Sequence, residues 1–222
     1  MIRLLLVDDD PIVRAGLRLM LGGAPDLEVV GEAADGSEVP ALVAANSPAV
    51  VLMDIRMPGT DGLAATQSLR ARPGAPEVIV LTTFNTDEHV LRALRAGAAG
   101  FLLKDTPPQE IVTAVRKVAA GEPVLSPAIT RQLIDQVTGE GRDGREERAE
   151  AARARLALLG SRERDVALAV GRGSPNAEIA RELYLSLPTV KTHVSRILAK
   201  LDLNNRVQLA LLVHDAGESG TD

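Results

Sequence analysis

The chain has 222 residues, 45% hydrophobic and 25% charged, the make-up of ordinary soluble globular material with room for one or two domains. It contains no cysteine, which excludes disulfides, thiolate metal sites and a cysteine nucleophile. The net charge of −5 argues against a wholly basic nucleic-acid binder, but the acidity is local: residues 1–137 hold 12 Lys and Arg against 17 Asp and Glu, and residues 156–222 hold 8 of each.

No stretch approaches the roughly 20 apolar residues of a membrane span, and the first residues open a strand instead of a charged leader. A cytoplasmic location without membrane attachment is therefore expected. Apolar runs bounded by turn residues occur at 2–7, 27–33, 49–53, 77–82 and 99–103. Each is short and rich in Val, Leu or Ile, as expected of strands buried on both faces of a parallel sheet. Helical stretches lie between and after them, near 11–22, 36–46, 61–71, 86–96 and 107–120. The first places Val13, Leu17, Met20 and Leu21 on one stripe. Five βα units predict a doubly wound α/β domain over residues 1–121 on a five-stranded parallel sheet.

Residues 126–137 (SPAITRQLIDQV) read as a short helix. The charged, aperiodic stretch at 138–155 reads as an exposed linker or a frayed helix, which makes 122–155 a linker region. Residues 156–222 then form a small all-α domain of four helices, about 161–170, 176–183, 187–201 and 205–215.

In a doubly wound sheet the site lies beyond the carboxyl ends of the strands. Asp8 and Asp9 follow the first strand, Asp54 the third, Thr82 ends the fourth and Lys104 follows the fifth. A single acidic residue at a βα turn is more often a helix cap or a solvated charge, but four strand ends converging on one edge favour a site. Asp10, followed at once by Pro11, reads as the cap of the first helix. Carboxylates from Asp8, Asp9 and Asp54 suit Mg²⁺, a hard cation that prefers oxygen ligands. The chemistry they predict is phosphoryl transfer to Asp54, with Lys104 and the Thr82 hydroxyl on the phosphoryl oxygens.

VDD at 7–9, DIRMPGTDG at 54–62, LTT at 81–83 and GFLLKD at 100–105 resemble the receiver domain of bacterial two-component response regulators. The resemblance implies a flavodoxin-like fold with Asp54 as phospho-acceptor, Asp8 and Asp9 in the acidic pocket, and the Arg56 main-chain carbonyl as a further Mg²⁺ ligand. It implies Thr82 and Phe101 as a switch pair, Lys104 as the phosphate-sensing cation and a sensor histidine kinase as donor. Phe101 by itself reads as core, and Pro58 and Gly62 read as turn and spacing residues.

Near the C-terminus, Ser186 can cap a helix with Pro188 in its first turn. Val190, Val194, Ile197, Leu198 and Leu201 form its buried stripe. Thr192, Ser195 and Ala199 point the opposite way, flanked by Lys191 and Arg196. Such a face suits a major groove, with little bulk, donors for base edges and charges for phosphates. Residues 188–206 carry Lys191, Arg196, Lys200 and Arg206 against Asp202, a local +3. RERDV (162–166), NAEIA (176–180), TVKTHV (189–194), ILAKL (197–201) and NRVQ (205–208) resemble the C-terminal module of LuxR/NarL-type regulators.

That resemblance implies a helix-turn-helix whose recognition helix, 187–201, turns Lys191, Thr192 and Ser195 to the bases and Thr189 to a phosphate. It also implies a homodimer contact through the last helix, and so an inverted-repeat operator on double-stranded DNA. Gly160 and Pro175 stand where the family has hydroxyl caps, with Ser161 or Asn176 as substitutes. Asp10 replaces a frequent His, and Ser195 an occasional basic residue.

The expected protein is a transcriptional regulator switched by phosphorylation of Asp54, with no enzymatic activity beyond its own phosphorylation and slow dephosphorylation. One alternative is a constitutive DNA-binding dimer with a vestigial receiver. A remote one is a haloacid-dehalogenase-like phosphatase using Asp8-x-Asp10, for which the later acidic pair and cap are missing.

Overall fold

The computed structural model describes residues 1–72, 74–83, 87–125 and 145–218. The chain divides into two compact units, Met1–Ile129 and Thr130–Asp222. The helix expected at 126–137 lies outside the described residues.

The first unit alternates β1 (Ile2–Val7), α1 (Pro11–Gly22), β2 (Leu27–Ala33), a short 3₁₀ turn (Gly36–Glu38) with α2 (Val39–Asn46), and β3 (Val50–Met53). It continues through α3 (Gly62–Arg70), β4 (Glu77–Thr82), α4 (Asp87–Ala96), β5 (Gly100–Leu103) and α5 (Pro108–Ala119). The strands are all parallel, in the order β2-β1-β3-β4-β5, as in a doubly wound sheet. A two-residue strand, β6 (Val124–Leu125), extends the β5 edge beyond the five that the sequence predicts. Two residues are too few to show a period, so this strand leaves no sequence signature.

Alternate side chains of each strand enter two separate cores, which is why the strands read as continuous apolar runs. On one face Leu4, Leu6, Val50, Leu52, Ile79 and Leu81 pack with Leu17 and Leu21 of α1 and Ile111, Val115 and Val118 of α5. On the other, Leu5, Val7, Val51, Met53 and Val78 pack with Val39 of α2 and Ala65 and Leu69 of α3. Burying each such side chain contributes about 1.5–3 kcal/mol. Met20, expected on the buried stripe of α1, is 36% exposed because it lies at the stripe's edge, about 60° from Leu17.

The core of the second unit takes in residues from the stretch that the sequence leaves to the linker region. Residues read as an exposed linker or frayed helix form α6 (Arg145–Leu156), and its Ala152 and Leu156, one turn apart, enter the core. α7 (Ser161–Gly171), α8 (Asn176–Glu182), α9 (Leu187–Lys200) and α10 (Arg206–Asp215) follow. Val166, Val170, Ile179, Val190, Ile197, Leu209 and Val213 fill the same core. Among the described residues no helix is long and apolar enough to cross a membrane.

Gly160 and Pro175 occupy the cap positions of α7 and α8 without a side-chain cap. Gly160 precedes α7, and Glu163 reaches back to accept its N–H at 3.0 Å while also binding Lys200 Nζ at 2.9 Å. Pro175 precedes α8 without a side-chain cap, and the buried Asn176 carbonyl accepts from Arg206 Nη1 at 2.6 Å. Arg206 Nη2 also donates to the Ser174 carbonyl, so one guanidinium of α10 fixes the turn into α8. Asn205 caps α10 by accepting the Gln208 N–H at 2.8 Å.

Two predictions follow from this packing. A Cβ at Gly62 would lie 1.8 Å from the Asp54 carbonyl oxygen. Gly62→Ala therefore lowers stability by an amount at or above the usual overpacking range of about 1–3 kcal/mol, read from the urea midpoint. The second concerns Glu163, whose carboxyl is held below its ordinary value of 4.5, chiefly by the Lys200 hydrogen bond and then by the Gly160 N–H. A depressed carboxyl contributes stability that is present above its unfolded pKa and lost as the pH falls through the folded one. Glu163→Gln thus lowers the urea midpoint at neutral pH, and the gap to wild type closes in acid below pH 4.5.

Candidate functional site

The register of the sheet builds the site. Val7 and Met53 are partners in the β1–β3 ladder, and the Asp54 N–H donates to the Val7 carbonyl at 2.8 Å. The residues that follow, Asp8 and Asp54, therefore emerge side by side. Two strands along, Thr82 pairs with Leu103, and the Lys104 N–H donates to the Thr82 carbonyl at 2.9 Å. Lys104 thus leaves the same edge, and its ammonium reaches Asp8 Oδ2 at 2.5 Å and Asp54 Oδ2 at 3.0 Å.

Each carboxylate divides its two oxygens. Asp8 Oδ1 accepts the Asp10 N–H at 2.9 Å and Asp54 Oδ1 accepts the Ile55 N–H at 2.8 Å, which leaves both Oδ2 atoms for the ammonium. The side chains of Asp8 and Asp54 are only 3% and 7% exposed, so their charges meet little solvent screening. Burial pushes the Asp54 carboxyl above its ordinary value; the Lys104 hydrogen bond and charge oppose this, and the Asp8 charge adds to it. Lys104 is pulled down by its own burial, but the hydrogen bonds and charges of Asp8 and Asp54 outweigh that and raise it overall.

Asp9 is exposed, and one oxygen each from Asp8, Asp9 and Asp54 lie within 4.8 Å of one another. Three carboxylates face one ammonium, so the pocket retains an excess of negative charge built entirely from oxygen donors. That donor set fits a hard divalent cation.

Asp10 does not join them. Its carboxylate accepts the Ile12 N–H at 2.8 Å and the Val13 N–H at 3.4 Å as the cap of α1, with Pro11 in the first position. The D-x-D phosphatase alternative therefore loses its second carboxylate to a helix end. Thr82 is 1% and Phe101 0% exposed, so the aromatic of the expected switch pair is a core side chain here. Arg56 is exposed in the turn after β3.

In the second unit, Ser186 accepts the Thr189 N–H at 3.2 Å and caps α9 as expected. Val190 and Ile197 of the predicted stripe are fully buried, Leu201 is 3% exposed, and Val194 and Leu198 pack partly buried against the same core. Lys191, Thr192, Ser195, Arg196 and Ala199 are all exposed on the other face, and Thr189 is half-buried. The turn between α8 and α9 passes through Tyr184 at φ 54°, in the left-handed region that costs a side-chain-bearing residue about 1–2 kcal/mol.

The local +3 of this segment is smaller in effect than it reads. Lys200 is bound to Glu163 and Arg206 to Ser174 and Asn176, so two of the four cations hold the fold together. The Arg206–Asn176 tie has no short-range sequence signal. Glu163, by contrast, stands three residues after the cap position Gly160, the spacing of a capping box.

Residues 4–116 match the response regulator receiver domain, and residues 157–213 match the bacterial regulatory proteins of the luxR family. The chain is 38% identical over 214 residues to the transcriptional regulatory protein LiaR of Bacillus subtilis, covering 96% of this chain and 97% of that protein. It is also 38% identical to the nitrate/nitrite response regulator NarL of Escherichia coli K12, over 95% of this chain and 94% of that one. The crystal structure of the response regulator ChrA, from a heme-sensing two-component system, is similar over 98% of both chains, at 36% identity and a TM-score of 0.52. This chain therefore belongs to the response regulators that join a receiver domain to a LuxR-type C-terminal domain.

Proposed function

We propose that this protein is a transcription regulator whose DNA binding is switched by phosphorylation of Asp54, with a sensor histidine kinase as donor. The observation that carries the proposal is the ammonium of Lys104 held between Asp8 and Asp54 at the carboxyl edge of the sheet. A buried carboxylate beside a cation and two further acids is a nucleophile kept in place for phosphorus. The Asp54 oxygen attacks, the bond from phosphorus to the donor nitrogen breaks, and the histidine leaves with the electron pair. Lys104 and the Thr82 hydroxyl then meet the phosphoryl oxygens. Asp8, Asp9, Asp54 and the Arg56 carbonyl would hold Mg²⁺. When bound, the ion supplies charge neutralisation on the phosphoryl oxygens. Thr82 and Phe101 serve as the switch pair that carries the change from the pocket.

In the same reading, residues 1–121 are the receiver and the helical residues that follow are the DNA-binding domain, whose core already includes Ala152 and Leu156 of α6. The recognition helix is α9, with Lys191, Thr192, Ser195 and Arg196 directed at the groove and Thr189 near a phosphate. A dimer through α10 would read an inverted repeat. The protein acts in the cytoplasm, and its only chemistry is its own phosphorylation and slow dephosphorylation.

A small phosphodonor tests the pocket. Asp54→Asn takes up no label, and Asp9→Ala loses the Mg²⁺-dependent part. Asp10→Ala labels normally but loses about 1 kcal/mol of stability, the usual worth of a helix cap. Equal labelling of wild type and Asp54→Asn would remove Asp54 from its role. Phosphorylated protein binds its operator about 5- to 150-fold more tightly than unphosphorylated protein, the usual span of an allosteric coupling. An unchanged Kd by gel shift would mean constitutive binding.

A further inference from the structure

Small hydroxyl residues on a recognition helix are expected to donate to base edges, but the structure shows that one of them has its hydrogen engaged. The Thr192 hydroxyl donates to the Pro188 carbonyl one turn earlier, at 3.0 Å, while the residue itself is exposed. A hydroxyl has one hydrogen and two acceptor lone pairs. With the hydrogen directed along the helix, Thr192 presents lone pairs and its γ-methyl to the outside. A β-branched side chain in a helix has few χ1 choices, and the rotamer seen here is one held by this bond. The other two hydroxyls at the helix start are also engaged, since Ser186 and Thr189 share a hydrogen bond of 2.7 Å.

The major groove distinguishes base pairs by just these properties. Guanine shows two acceptors, N7 and O6, and its partner cytosine an amino donor. Adenine shows an amino donor at N6, and its partner thymine a 5-methyl group. An acceptor alone accepts either amino group. An acceptor joined to a methyl group fits an A·T pair, the lone pair on adenine N6 and the γ-methyl against the thymine methyl. We propose that Thr192 is a specificity-determining residue that selects an A·T pair, acting as acceptor and methyl and not as donor. The proposal rests on the reading of α9 as the recognition helix and adds to it what one of its residues reads.

The test is binding-site selection from random DNA with phosphorylated full-length wild type, Thr192→Ser and Thr192→Val. The position read by Thr192 is the one whose preference moves on substitution. Wild type selects A·T there. Thr192→Ser keeps the acceptor without the methyl, so its preference for A·T over G·C falls by roughly five- to tenfold. Thr192→Val keeps the methyl without the acceptor, so it retains thymine and tolerates replacement of adenine by a purine lacking the 6-amino group. Equal salt-dependent binding of all three proteins to random duplex shows that the variants are folded.

A wild-type preference for guanine as the base facing Thr192 overturns the proposal, and so does selection of one unchanged site by all three proteins. Those results leave α9 as the recognition helix. If wild-type protein forms aspartyl phosphate yet selects no sequence at all, the reading of α9 itself fails and takes the proposal with it.

Discussion

Asp8 and Asp54 are forced together by the sheet. Parallel register between β1 and β3 leaves the chain no means of separating the residues that follow Val7 and Met53. At separations within 4.8 Å and an effective dielectric near 20, their repulsion is about 3–4 kcal/mol. The fold answers with Lys104, delivered from β5 by the same logic of register and bonded to both. The pocket is thus a balance of opposed charges in a place where burial amplifies each of them. Changing one of those charges is felt at once by the others. Asp54 carries the strain most plainly, since its carboxyl is raised by burial in spite of the ammonium beside it.

In the proposed reading, that balance makes the receiver sensitive to a phosphoryl group on Asp54. Lys104 is bonded through its backbone to Thr82 and through its side chain to Asp54, so a phosphoryl group on Asp54 would present new oxygens to the side chain that spans the pocket. The packing around it is unyielding: Met53 and Phe101 are fully buried, and Gly62 allows the Asp54 backbone no room. Close packing favours discrete alternative arrangements over gradual deformation.

How much of this was legible in the sequence differs between the two units. The strand ends were legible because a strand buried on both faces leaves a continuous apolar run, and the residue after it is fixed by register. Asp10 was legible as a cap because Pro11 follows it. Met20 was misplaced because a helical stripe has soft edges and only the neighbouring strands decide which edge is covered. The stretch that forms the helix Arg145–Leu156 reads only as an exposed linker or a frayed helix, for a different reason. It buries Ala152 and Leu156 among charged residues and the small Ala149, Ala151 and Ala154, and two positions do not make a period. The ties from Arg206 to Asn176 and from Arg155 to the Leu201 carbonyl join residues far apart in sequence, so only the folded chain shows them.

Those ties bear on how the second unit can bind DNA. Phosphate contacts supply sequence-independent affinity in proportion to the charges that make them. Here Lys200 and Arg206 are tied to partners within the unit, Lys200 at the surface to Glu163 and Arg206 to Asn176, and Lys191 and Arg196 are further exposed cations on α9. In the proposed reading, discrimination falls on the base-edge face that carries the exposed Thr192 and Ser195 between Lys191 and Arg196. Joining two copies doubles the phosphate contacts and makes the second half-site an intramolecular encounter, raising affinity without any new surface. A weakly charged recognition unit is thus the kind that gains most from controlled dimerisation.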